Sequence, residues 1–411
     1  MSIPSKSYDV VVVGGGIAGV AAAIQAARCG LKTALVEKTV LWGGLATTGL
    51  VNIYLPLCDG YGTQVSYGLC QELIQHCNDF GPGGVSPCWK KEHGASHDAK
   101  RYRTDFSPAS YILSLDQMIT EAGVEPWLDT VVTGARLSQG KISALTVENE
   151  SGTVLLKAKR FVDGSGSAVL ARRLGMKIHT TKNYRSIWVY ETNKGKMLMH
   201  YGPIGVSPKA SDLYSDDVLK AAGYATRESL GQDTVEGISG KIVTDYIMGT
   251  RRCVREFYRE CYEKKGESRS EHFPVKLPAM NQLRMIAAID APTMMKDGGE
   301  WTPAKDSVGM VADWRKSGYV WEVPYSSLYA KDGPSNLLFA GRCMGAIGDA
   351  WDVMRVIPCA AVTGQAAGLA AAVSLKHRVQ PKALAYSTLE KELRKLAIPL
   401  HFEELGLKCP F

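Results

Sequence analysis

Tyr8-Asp-Val-Val-Val-Val-Gly14-Gly-Gly16-Ile-Ala-Gly19 is an apolar, β-branched run that breaks into G-x-G-x-x-G and continues as a chain of small residues. Each part has a physical reason. Gly14 lets the chain turn tightly off a strand, Gly16 lets the backbone approach a pyrophosphate, and Gly19 lets helix and strand pack closely. The helix that starts at Ile17 and Ala18 turns its unpaired N–H groups and positive dipole end toward phosphates. Ala18, Ala21, Ala22, Ala23, Ala26 and Ala27 carry it to Cys29, and Gly30 is placed to cap it. A second strand, Lys32 to Glu37, ends in an acid about 20 residues past the glycines, where a carboxylate can accept from both ribose hydroxyls of an adenosine. An acid there repels a 2′-phosphate, so NADP is disfavoured. The unit predicts a dinucleotide site.

Later segments bear on which dinucleotide. Trp42-Gly43-Gly44-Leu-Ala46-Thr47-Thr48-Gly49 follows the acid strand as a run of small residues able to lie against a long cofactor. Phe161-Val-Asp163-Gly164-Ser-Gly166 repeats the strand-into-glycine pattern. Asn336-Leu-Leu-Phe-Ala-Gly341-Arg342 is a short strand ending in glycine, and Arg355-Val356-Ile357-Pro358 opens a second small-residue helix through Gly364 and Gly368, with proline in its first turn.

In this order the elements resemble the FAD-dependent oxidoreductase family of the glutathione-reductase (GR2-type) superfamily, distantly akin to fumarate-reductase flavoproteins, over most of the chain. The resemblance implies an FAD cofactor. It implies cofactor contacts at Gly14, Gly16, Ile17, Ala18, Gly19, Glu37, Lys38, Gly43, Gly44, Ala46, Thr47, Asp163, Gly164, Gly166, Gly341, Arg342, Asp349, Arg355, Val356 and Ile357. Where the family often carries a histidine between its A-G-R-C and R-V-x-P elements, this chain reads Met344 to Asp352 without one. Asp349 and Asp352 are the acidic candidates there.

The implied fold is α/β: a Rossmann-like FAD-binding domain, a parallel sheet with a β-meander, plus an α+β substrate or cap domain. The FAD domain is expected to be discontinuous, from 1–60, 125–175 and 320–380, with the cap from 61–124 and 176–319 and a C-terminal helix and tail over 381–411. Alternation with turns at Gln139-Gly140 and Ser151-Gly152 predicts an antiparallel meander over 131–137, 142–148 and 153–158. The insert reads as strands such as 185–192 and a helix near 244–264.

Among 411 residues, 48 are basic and 41 acidic, a net charge of +7. The basic pairs are dispersed, which argues against a nucleic-acid partner. The first apolar run is already the nucleotide strand, so no signal segment is read, and no stretch approaches the roughly 20 apolar residues needed to span a bilayer. A cytoplasmic chain without a membrane partner is the expectation. The ten cysteines include no C-x-x-C pair and read as reduced thiols, unlike those of the disulfide reductases of the superfamily. Cys58 reads as a small apolar filler or a reactive thiol. His93 and His97, with Asp98, lack a further ligand set, and no metal is expected.

Only one strong dinucleotide fingerprint is present. Reducing equivalents are therefore expected to pass between flavin, a small polar organic substrate, and an external electron donor or acceptor. Tyr325, in an element similar to the family's I-P-Y, is the first proton-handling candidate. His272 and Arg284 flank Asn281 and Gln282, a set able to fix a polar or anionic substrate, and Asp349 completes the catalytic candidates. Two alternatives are an RNA-modifying flavoprotein similar to folate-dependent tRNA-modifying enzymes, and a thiazole-synthase-like protein that binds NAD.

Overall fold

Val10 to Val13 are at most 4% exposed, because the strand that carries them is covered on both faces. In the computed structural model, which describes residues 3–81, 104–203, 215–224 and 234–411, this strand is β1 (Ser5–Val13) at the centre of a seven-stranded sheet. Parallel to it lie β2 (Thr33–Val36) on one side and the upper part of β6 (Gly152–Asp163) on the other. Beyond β2 comes β3 (Glu125–Trp127), and β12 (Leu337–Phe339) pairs with the end of β6, both parallel. The lower part of β6 pairs antiparallel with β5 (Lys141–Asn149), and β5 with β4 (Val131–Ser138), which makes the meander.

The third meander strand runs on without interruption through Phe161 to Asp163. β6 is one strand of 12 residues. Arg160 turns inward at 5% exposure and donates to the Ser374 Oγ at 2.8 Å and to the Val379 carbonyl, so a charged residue in mid-strand is satisfied inside.

Packing divides the chain into two units. The first joins Met1–Thr47, Asn52–His179 and Ala287–Phe411. Its core helices are α1 (Ile17–Arg28) and α8 (Ile357–Lys376), which pack along each other. A Cβ on Gly364 or Gly368 would collide with the carbonyl oxygen of Ala18 or Ala22, so the two backbones touch. Among the described residues α8 is the one helix long and apolar enough to cross a bilayer, a feature the sequence reading missed. Here it is the core helix, with 89% of its most apolar window buried.

The expected cap segment over 61–124 does not leave this unit. α2 (Leu69–His76) buries Leu69, Cys70, Leu73 and Ile74 and packs against α8. α3 (Pro108–Glu121) buries Tyr111, Ile112, Leu115, Met118 and Ile119 and packs against α1. Both apolar stripes cover the helix layer of the nucleotide fold. The first unit also holds the antiparallel pair β10 (Ser307–Ala312) and β11 (Val320–Pro324), and α9 (Tyr386–Lys395), so the boundaries expected near 320 and 380 are not observed either.

The second unit is Thr48–Val51 with Thr180–Ile286. Its three-stranded antiparallel sheet sets β7 (Ser186–Asn193) between β8 (Lys196–Pro203) and β9 (His272–Lys276). One face is covered by α5 (Asp216–Ala221) and α6 (Gly240–Glu263). Ile187 and Val189 meet Val218, Leu219, Cys253, Val254, Phe257 and Cys261 in a single core. Ser215 and Ser239 cap the two helices, each Oγ accepting a backbone N–H three residues on. Two short helices of the first unit are α4 (Val169–Arg173), which follows β6, and α7 (Gly348–Met354), which precedes α8.

Candidate cofactor site

The glycines of the first loop hold their places for different reasons. At Gly14 φ is +95°, and a Cβ would lie 2.5 Å from the Ser165 Cα. At Gly15 a Cβ would lie 2.5 Å from the Trp42 ring and 2.9 Å from the Glu37 Cβ. At Gly19 it would collide with the Gly14 carbonyl oxygen. Gly16 differs: φ is −69°, and the nearest atom to a Cβ would be the Gly164 carbonyl oxygen at 3.9 Å. The space beside Gly16 is open. It lies at the N-cap of α1, which has no side-chain cap and no acid in its first turn.

Glu37 is buried and faces this loop. Its Oε2 accepts the Gly15 N–H at 2.7 Å, and its Oε1 accepts the N–H and hydroxyl of Thr39, each at 2.9 Å. Gly43 donates to the Gly15 carbonyl at 2.7 Å, and a Cβ on Gly44 would sit 3.1 Å from the Gly16 Cα. The Gly43–Gly44 turn, with φ of +97° and +55°, therefore lies directly against the first loop. Lys38 is exposed just beyond Glu37.

The third segment is held by a carboxylate. Asp163 is fully buried. Its Oδ1 accepts from the Ser165 N–H and hydroxyl at 3.0 and 2.6 Å, and its Oδ2 from the Leu170 N–H at 2.8 Å. Gly164 donates to the Val13 carbonyl at 2.8 Å, and a Cβ on Gly164 would come within 2.8 Å of the Gly19 nitrogen. A Cβ on Gly166 would meet the Arg342 guanidinium, and one on Gly341 would lie 2.8 Å from the Ala18 Cβ. Thr363 ties the last segment in, its Oγ1 accepting from the Gly341 N–H at 2.9 Å. The N-terminus of α8, with Val356 at the N-cap and Ile357 and Pro358 next, has no side-chain cap and no acid in its first turn.

Two uncapped helix N-termini, an open glycine and a buried acid are thus gathered at the end of one parallel sheet, a donor set suited to a dinucleotide. Over residues 9–275 and 300–393 the chain matches the family described as FAD dependent oxidoreductase. The chain belongs to that family. FAD is its cofactor, and this FAD-dependent oxidoreductase presents residues that fit it: the space beside Gly16 would admit a pyrophosphate, and Glu37 has one lone pair left, on Oε2, that could accept from a ribose hydroxyl.

The thioredoxin reductase of Ureaplasma parvum is 37% identical over 67 residues, 16% of this chain and 22% of that protein. The digeranylgeranylglycerophospholipid reductase of Thermoplasma acidophilum is 23% identical over 168 residues, 39% of this chain and 40% of that protein. The chain thus spans between about a fifth and two fifths of the length of these curated relatives. Among solved structures, a geranylgeranyl bacteriochlorophyll reductase-like protein of Thermoplasma acidophilum has a TM-score of 0.41 at 14% identity, covering 98% of this chain and 95% of that one.

Several residues expected to meet the cofactor serve the oxidoreductase differently. Asp163 has both oxygens committed to the loop it closes, so it shapes the site from beneath. Ala46 and Thr47 are buried, with the Thr47 hydroxyl donating to the Trp42 carbonyl, and they hold the Gly43–Gly44 turn in form. Arg355 donates to Asp352 Oδ1 at 2.6 Å and lies over the Trp314 ring, 5.6 Å from its centroid. Arg315 joins the same cluster, bonding Asp313 and Asp349 and lying 3.1 Å from Asp352. Trp314 and Arg315 carry no sequence signal, because the single glycine of the β10–β11 turn, Gly318, belongs to no repeated glycine motif.

The catalytic candidates fare worse. The Tyr325 hydroxyl donates to the Pro381 carbonyl at 2.8 Å, its ring is 3% exposed, and burial pushes its pKa far up. It is a packed tyrosine, not a proton handler. Asp349 is exposed, and the hydrogen bond from Arg315 holds its carboxyl below the usual range, which makes it a weak base. His272 belongs to the second unit, where Glu267 and Glu191 engage both ring nitrogens. Arg284 also lies there, stacked over Trp188 at 5.3 Å from the ring centroid. Cys58 is buried at 1% exposure and is a filler. His93, His97 and Asp98 lie outside the described residues.

Proposed function

We propose that the protein oxidises or reduces a small polar organic molecule, with an external donor or acceptor completing the electron balance. Bound FAD supplies hydride acceptance or donation at its N5. The chain's residues do the binding and orienting. Gly16, Ile17 and Ala18 offer backbone N–H groups and the α1 dipole to the pyrophosphate, and the Glu37 carboxylate accepts from the ribose. Arg342, whose pKa burial lowers to about 10, is still a cation at neutral pH and would be stabilised by an anionic group of the bound cofactor. Val356 and Ile357, at the second uncapped N-terminus, offer further N–H groups to the flavin end of the cofactor.

The observation that carries this reading is the open space at Gly16, a glycine that the protein's own packing does not require. The test is anaerobic. The purified yellow protein is mixed with panels of polar hydroxy, amino and unsaturated acids, and bleaching of the flavin band is followed, with reoxidation by candidate carriers afterwards. Bleaching by one chemical class is expected. A protein that takes up no FAD overturns the reading.

A further inference from the structure

Helix α6 ends at Glu263, and the loop that follows returns to β9 at His272. The turn is closed by the Glu267 N–H donating to the Cys261 carbonyl at 3.0 Å, and by the His272 N–H donating to Ser268 at 2.9 Å. These bonds bring three side chains of different chemistry together. The Cys261 Sγ, a Glu267 carboxylate oxygen and a His272 ring nitrogen lie within 4.8 Å of one another. Cys261 is 1% and His272 5% exposed, whereas the Glu267 side chain is a third exposed and faces solvent.

His272 has a carboxylate on each ring nitrogen. Its Nδ1 faces Glu267, and its Nε2 lies 3.1 Å from the Glu191 Oε2. Glu191 in turn accepts from the Tyr258 hydroxyl at 2.7 Å. A carboxylate on the far nitrogen fixes the tautomer and ring orientation of a ligating histidine and raises its basicity. Phe257 and Tyr258 meet the ring edge-on, with centroids 6.1 and 5.4 Å away, and the Tyr262 hydroxyl holds the His272 carbonyl at 2.8 Å. Cys261 stands near the end of α6 in the core of the second unit, His272 starts β9, and Glu267 lies on the loop between them.

We propose that Cys261, Glu267 and His272 form a zinc site, with Glu191 and Tyr258 positioning the imidazole and water completing the tetrahedron on the open side. The inference does not rest on the flavin reading. One thiolate, one imidazole and one carboxylate suit a borderline divalent ion, and magnesium or calcium would not choose sulfur. On binding, the Cys261 thiol proton and the proton shared between His272 Nδ1 and Glu267 are released to solvent. The Nε2–H stays donated to Glu191. One thiolate and one carboxylate then balance the charge of the ion.

The test uses the full chain with its FAD. The protein is stripped with a chelator, dialysed against micromolar zinc, and assayed by plasma mass spectrometry and zinc-edge X-ray absorption, to which flavin is silent. We expect one zinc per chain with a sulfur scatterer at about 2.3 Å. Cys261→Ser removes the sulfur signal, while Cys29→Ser, an exposed thiol elsewhere, leaves it. Glu191→Gln keeps the stoichiometry and weakens zinc about 10- to 100-fold. Glu267→Gln changes only a part-exposed side chain and weakens zinc by a similar factor, which keeps the test valid if Cys261→Ser does not fold. A wild-type protein without zinc, a zinc with only nitrogen and oxygen neighbours, or unaltered affinity in Glu267→Gln overturns the proposal.

Discussion

Gly14 and Gly16 are the same residue type two positions apart, yet their replacement by alanine has opposite consequences. Gly14→Ala needs a left-handed backbone and drives a methyl against Ser165, so the loop is disrupted with or without cofactor. Gly16→Ala enters open space, so the protein folds normally and only FAD feels the methyl. Crowding of that kind costs about 1–3 kcal/mol, roughly a 5- to 150-fold rise in Kd. Circular dichroism beside flavin titration separates the two. The expected outcome is a cooperative fold with weak FAD binding for Gly16→Ala, and loss of both for Gly14→Ala. At this scale the sequence shows which glycines matter but not why each does. Gly15 illustrates the limit, since its reason is the Trp42 ring, brought to it by a strand and a turn. Tyr325 and Asp163 illustrate it for polar groups, whose partners at Pro381 and Leu170 depend on packing that residue type does not encode.

At the level of elements, the defining contact is α1 on α8. Gly364 and Gly368 allow the two backbones to touch at Ala18 and Ala22, and a methyl at either glycine must push the helices apart. Gly364→Ala is expected to lower stability by about 1–3 kcal/mol, or more where the backbone cannot yield, as read from urea unfolding. It should also weaken FAD binding, because the first turn of α8 moves with it. The end of α1 is tied to α2 by Arg28, which donates to both Glu72 oxygens at 2.7 and 2.6 Å. That bond holds the Glu72 carboxyl below its ordinary 4.5. A depressed carboxylate contributes stability above its unfolded pKa and loses it as the pH falls through the folded one. Both side chains are partly exposed, so Arg28→Ala should cost about 0.5–1 kcal/mol at pH 6, with the difference vanishing in acid and shrinking in high salt. Helices α1 and α8 were legible from small-residue runs. The placement of α2 and α3 was not, because an apolar stripe shows that a helix is covered without showing by what.

For the whole molecule, two ligands on two units make a thermal experiment informative. Either ligand at 100 times its Kd adds about 2.7 kcal/mol to whatever unfolds with its site. FAD is expected to raise the transition of the unit containing Gly16, and zinc that of the unit containing Cys261. Calorimetry with each alone and with both checks the assignment, and a zinc shift that persists in Cys261→Ser contradicts it. The order of glycine segments led to an expected nucleotide domain with an insert, and packing divides the chain into two units. The edges of the units were not legible, since the boundaries follow which apolar faces meet rather than where motifs stop. The contact of Ala18 with Gly364 also has a consequence in time. The two residues are about 350 positions apart in the chain. At roughly 5–20 residues per second of synthesis, about 20–70 s separate their emergence from the ribosome. Throughout that interval the first helix lacks the partner that buries it, so cofactor capture waits until α8 has been made.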